Sequence, residues 1–127
     1  MRLFIVRHAK AAQGEPDEQR ALTERGRAAA LELGQRLGGE QLDAVVSSPL
    51  VRARETAEAI ARAADLELEI DERLAPGADA AAVRAVVAGR GDTVVVVGHQ
   101  PDCTEIVFEL TGRQVPFSTG AFLEVAL

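Results

Sequence analysis

Tryptophan and tyrosine are absent from this chain and phenylalanine occurs only four times, which leaves little to stack on nucleic-acid bases. Basic residues are not in excess either. Fourteen Lys and Arg against 20 Asp and Glu give a net charge of −6, so no global positive field attracts nucleic acid or an anionic membrane, and any anion site must be local. A single cysteine, Cys103, cannot form an internal disulfide. The apolar run Leu3 to Val6 is far shorter than a signal-peptide core, and with the lone cysteine it leads us to expect a cytoplasmic protein. No apolar stretch approaches the roughly 20 residues that span a bilayer. With only two histidines and scattered carboxylates, no metal-ligand spacing is visible, and neither metal nor cofactor is expected.

What is present suits an ordinary soluble fold: 47% of the 127 residues are hydrophobic and 27% charged. That length favours one domain, 1–127, with a single core and too little chain for a substantial cap. Leu3 to Val6 and Thr93 to Val97 read as central strands covered on both faces. Leu42 to Val46 reads as a further strand, Leu66 to Ile70 as an edge strand and Ala121 to Ala126 as the last. Thr23 is the expected cap of a first helix ending at Gly38-Gly39. Ser48 as N-cap with Pro49 at the first helical position opens a second helix, whose Ala53, Ala57, Ile60, Ala61 and Ala64 share one buried face. A short helix over Ala78 to Ala88 and one from Gln100 onward, with Cys103, Ile106, Val107 and Leu110 inward, complete the reading. The expectation is a three-layer α/β/α sandwich with a mainly parallel central sheet.

Both histidines fall just after the two most apolar strands, as Arg7-His8 and Gly98-His99. Ligands bind beyond the carboxyl ends of strands in open α/β sheets, and parallel central strands would bring both imidazoles to one sheet edge. Arg52 stands in the first turn of the second helix, where the macrodipole disfavours a cation unless an anion shares the site. Open N–H groups at a helix start and a guanidinium fork together suit phosphate. The alternative for Arg52 is a solvated side chain paired with Glu55 or Glu58. Ala11 to Arg20 reads as a loop bordering the site, Lys10 as a solvated neighbour of it, and Cys103 as core.

Arg7-His8-Ala9, Leu22-Thr23-Glu24-Arg25-Gly26, Ser48-Pro49-Leu50-Val51-Arg52-Ala53-Arg54-Glu55-Thr56-Ala57 and Gly98-His99, in that order, resemble the histidine phosphatase superfamily, also called phosphoglycerate-mutase-like. The short length and the Arg7-His8-Ala9-Lys10-Ala11 opening look most like the small bacterial phosphohistidine phosphatases. The resemblance implies that His8 attacks phosphorus and becomes a phosphohistidine, with Arg7, Arg52 and His99 clamping the phosphoryl oxygens. Two departures stand out: Ala9 where relatives usually have Gly, and Gln100 where acid-phosphatase relatives carry an Asp proton donor. Asp102 is the remaining candidate general acid, its alternative being a carboxylate that steadies the first turn of a helix. A missing donor penalises alkyl esters more than P–N bonds, because a ring-protonated phosphoimidazole leaves as neutral imidazole. The expected substrate is therefore a phosphohistidine-bearing protein, a phosphotransfer domain or phosphocarrier. The alternatives are a phosphomonoesterase for a small phosphorylated metabolite and a non-catalytic phosphate-binding module.

Overall fold

Two apolar runs form adjacent parallel strands at the middle of the sheet and fix everything else. The computed structural model describes residues 1–127. In it β1 (Arg2–Arg7) pairs in parallel with β4 (Thr93–Gly98), Val6 opposite Val97 and Arg7 opposite Gly98. Beside β4 lies β2 (Ala44–Ser47), followed by β3 (Leu68–Ile70) at one edge. The final strand, β5 (Phe122–Ala126), runs antiparallel along the other side of β1, giving the order β3-β2-β4-β1-β5.

Helices cover both faces, which is why the central strands need no polar face. Alternate residues Phe4, Val6, Val45, Val95 and Val97 pack with Leu33, Leu37, Ala57 and Ile60, on the side of α1 (Glu24–Leu37) and α2 (Val51–Ala63). Their neighbours Leu3, Ile5, Val46, Val94 and Val96 point the other way, onto Val83, Val86, Ile106 and Val107 of α3 (Ala80–Val87) and α4 (Asp102–Thr111). Burial of each such side chain contributes about 1.5–3 kcal/mol, so the middle of the sheet is rigid and holds its strand ends in place. No helix is long and apolar enough to cross a membrane.

The expected α/β/α architecture is the observed one, with small differences at element ends. Thr23 caps α1, its hydroxyl accepting from Gly26 N. The Leu22 to Gly26 motif also presses on the chain just after His8: Thr23 N donates to Lys10 O at 2.9 Å, and a Cβ on Gly26 would run into that carbonyl oxygen. The second helix starts later than the Ser-Pro signal predicts, at Val51 rather than Pro49, and Leu50 stands at its cap position with no side-chain cap bond. Ser48 still accepts from Leu50 N, at 3.2 Å, but its hydroxyl has a second partner in the site.

Candidate active site

Because Arg7 and Gly98 are register partners, the next residue of each strand exit is a histidine facing the other. His8 N donates to Gly98 O at 3.1 Å, and the two imidazole centroids lie 5.4 Å apart with their planes at 56°. Both side chains are enclosed, His8 at 8% exposure and His99 at 4%.

His8 Nδ1 lies 2.7 Å from the Ala9 carbonyl oxygen. A carbonyl only accepts, so Nδ1 carries the proton and Nε2 keeps its lone pair. Ala9 is itself anchored: its N–H donates to Thr56 Oγ1 at 3.0 Å, and the Thr56 hydroxyl donates to the Arg52 carbonyl at 2.9 Å. Burial chiefly pulls His8 below the ordinary imidazole range, opposed by the Ala9 carbonyl and reinforced by the positive charges of Arg52, Arg7 and Arg20. The ring is a neutral base near pH 7.

His99 Nε2 is 2.7 Å from Ser48 Oγ, and its Nδ1 is buried with no hydrogen-bond partner. Burial first, then His8 and the Arg52 guanidinium, push this imidazole down to about 4, with the Asp17 carboxylate acting in the opposite sense.

Two guanidiniums complete the group. Arg7, the last residue of β1, donates from Nη1 to Phe117 O at 2.9 Å, while its Nε is buried and unpartnered. The segment carrying Phe117 is tied to the β1 exit, since Gly120 N donates to the Arg7 and His8 carbonyls at 3.1 and 3.0 Å. Arg52, the second residue of α2, is 7% exposed. It is not a solvated partner of Glu55 or Glu58: Glu55 accepts from Leu22 N and Glu58 pairs with Arg62. Arg52 instead donates to Asp17, from Nη1 to the carbonyl at 2.9 Å and from Nη2 to Oδ2 at 3.2 Å. The Asp17 carboxylate also accepts from Arg20 at 2.9 Å, and Arg20 and then Arg52 hold it below the usual carboxylate range. The 11–20 loop is thereby pinned across the site.

The structure brings His8, His99, Arg7 and Arg52 together and gives Asp102 a different neighbour. Asp102 is the first residue of α4, buried, and its Oδ2 accepts from Gly77 N at 2.8 Å. It fastens the Pro76-Gly77 turn to α4. Lys10 is exposed. Cys103 is buried against the Val6 carbonyl, and burial pushes its thiol up to about 12, the behaviour of a core residue. No three His, Cys, Asp or Glu side chains are grouped as metal ligands would be. A concavity of about 620 Å³ between α1 and α2 shares no residue with the site.

Sequence reasoning missed Asp17, Thr56, the Phe117 carbonyl and the second role of Ser48. Ser48 and Thr56 lie inside the motif that contains Arg52, and two hydroxyls flanking a helix-start arginine were the available signal. Asp17 and Phe117 reach the site through loop paths that carry no such mark.

Residues 3–76 match the family model of the histidine phosphatase superfamily (branch 1). The phosphohistidine phosphatase SixA homolog of Haemophilus influenzae is 37% identical, the alignment covering 93% of this chain and 82% of that protein. Among solved structures, the protein histidine phosphatase SixA complexed with tungstate superposes with a TM-score of 0.87 at 30% identity, over 100% of this chain and 88% of that one. A mycobacterial glucosyl-3-phosphoglycerate phosphatase, 23% identical over 98% of this chain and 89% of its own, shares the fold with a TM-score of 0.76.

Proposed function

The chain belongs to the histidine phosphatase superfamily (branch 1), and from that premise we propose that it hydrolyses phosphohistidine on a partner protein through a covalent intermediate at His8. We read residues 1–127 as one such domain without a cap. The observation that carries the reading is the pair of buried, unpartnered nitrogens, Arg7 Nε and His99 Nδ1, beside a histidine whose Nε2 lone pair is free. Buried polar atoms are almost always satisfied. Two left open in one place, beside the Arg52 fork, suit an incoming anion with several acceptor oxygens.

In the first step His8 Nε2 attacks phosphorus in line, and the bond from phosphorus to the substrate imidazole breaks. The leaving ring, already protonated on its other nitrogen, departs neutral, so it needs no protein acid. Arg7, Arg52 and His99 hold the equatorial oxygens, where phosphoryl transfer gains most from fixed charge. In the second step water attacks the phosphorus on His8. The P–N bond breaks, its electron pair returns to Nε2, and both water protons leave on the dihydrogen phosphate. Gln100 beside His99, and an Asp102 already engaged by Gly77, leave the site without an evident donor for an alkoxide, which disfavours ordinary esters.

The test is phosphate release from a phosphohistidine-bearing phosphotransfer protein and from an aryl phosphate ester, measured side by side. Strong preference for the phosphohistidine substrate is expected. Preference for the ester would replace this reading with a phosphomonoesterase, and oxyanion binding without turnover of either would make the chain a binding module.

A further inference from the structure

His99 has one ring nitrogen on a serine and the other on nothing, and which of them carries the proton decides what it can do for a phosphoryl group. With the proton on Nδ1 it donates to a phosphoryl oxygen; with the proton on Nε2 it turns a lone pair toward an anion, which repels. The hydrogen bonds around Ser48 distinguish the two. Ser48 is fully buried. Its Oγ already accepts from Leu50 N at 3.2 Å, and its other polar neighbour is His99 Nε2 at 2.7 Å. A hydroxyl has one proton to give, and here the only acceptor for it is Nε2. Were Nε2 protonated instead, both groups would present a hydrogen to each other or the serine proton would be left buried and unpaired, at a cost comparable to a lost hydrogen bond.

From this geometry we infer that Ser48 is a positioning residue that sets the tautomer of His99, donating Oγ–H to Nε2 so that Nδ1–H faces the phosphoryl oxygens. Leu50 N contributes by occupying an Oγ lone pair, so the start of α2 orients the hydroxyl. One helix start then supplies both the Arg52 guanidinium and, through Ser48, the state of the second histidine. The neutral charge of His99 near pH 7 agrees, since a protonated ring would need no tautomer selection. The tautomer stands on the geometry alone; its catalytic use rests on the phosphatase reading above.

The two can be tested separately. Long-range ¹H–¹⁵N spectra of the histidine rings at neutral pH report the protonated nitrogen directly, and with only two histidines in the chain a His8→Ala variant assigns them. Wild-type His99 is expected to show protonated Nδ1 and unprotonated Nε2, with the Nδ1 proton shifting when inorganic phosphate is added. Ser48→Ala should move His99 toward the Nε2-protonated form and lower kcat about tenfold, the worth of one hydrogen bond, with a smaller effect on KM. Ser48→Thr keeps the hydroxyl and should restore both signals. A wild-type His99 protonated on Nε2, or a tautomer unchanged in Ser48→Ala, would overturn the inference whatever the substrate is. If the tautomer is as inferred and phosphate leaves the Nδ1 proton unmoved, the assignment of Nδ1–H to the phosphoryl group falls.

Discussion

Arg2 and Arg7 stand at opposite ends of the same strand, and their surroundings are opposite too. Arg2, where β1 begins, donates from Nε to Glu124 at 2.7 Å and from Nη2 to Glu40 at 2.6 Å, and its guanidinium lies over the Phe4 ring. Both carboxylates raise its already high pKa. Arg7, where β1 ends, has one backbone carbonyl and a buried Nε with no partner. The first arginine ties the start of β1 to β5 and to the turn after α1 at the surface. The second is held by the fold with donor capacity unspent, which costs stability unless an anion arrives. The difference separates a cation already paired within the fold from one with a donor left for a ligand, without reference to motif.

The contrast can be broken most sharply by truncating Arg7. Arg7→Ala should lower kcat/KM on a phosphohistidine substrate roughly a hundredfold to a thousandfold, the usual loss for one donor to a transition-state oxyanion, while its urea midpoint stays near that of the wild type. A variant that keeps wild-type turnover would class Arg7 with Arg2, and one that loses stability along with activity would make it a residue that holds the fold.

A second test uses pH. Both imidazoles are held below the ordinary range by burial and by neighbouring cations, so the acid limb of kcat/KM for the free enzyme should lie below 6.5, the usual imidazole value. The same depression acts on stability. Between about 6.5 and about 4 the unfolded chain binds a proton at His99 that the folded chain refuses, so stability falls as pH drops through that window and is unaffected above it. Urea unfolding from pH 8 to pH 4 should show this slope, and His99→Gln should flatten it; an unchanged slope would place the effect elsewhere.

Asp102→Asn is expected to do much less. The Asn carbonyl can still accept from Gly77 N, so phosphohistidine hydrolysis should stay within about threefold of wild type, within the worth of one neutral hydrogen bond. A drop of a hundredfold or more, confined to an ester substrate, would restore Asp102 as a general acid.

The smallest effect belongs to Arg2→Ala. The side chains of Arg2, Glu40 and Glu124 are 39–44% exposed, and ion pairs at the surface contribute little. Turnover should match the wild type, with at most a slight shift of the urea midpoint.

The same contrast shows what could be read from the sequence. The strands were legible because two apolar runs each stop at a histidine, and the parallel pairing of Arg7 with Gly98 is what that pattern implies. Arg52 was legible because a cation at a helix start is electrostatically odd. Arg2 and Arg7, however, are the same letter on the same strand. What separates them is a Phe117 carbonyl more than 100 residues away and two glutamates at Glu40 and Glu124, none of which local pattern can locate. Ser48 was legible only in part, because a serine before a helix already has a sufficient explanation as a cap. Its bond to His99 depends on β2 and β4 lying side by side. Asp17 needed the loop path itself.

In the proposed mechanism His8 takes the phosphoryl group. The most direct measurement is mass spectrometry of the intact protein, quenched at alkaline pH within the first turnover of a phosphohistidine-bearing substrate, with the modified residue mapped. One acid-labile phosphoryl group on His8 is expected in the wild type and none in His8→Ala. A phosphoryl group mapped to another residue, or full turnover by His8→Ala, would contradict that mechanism.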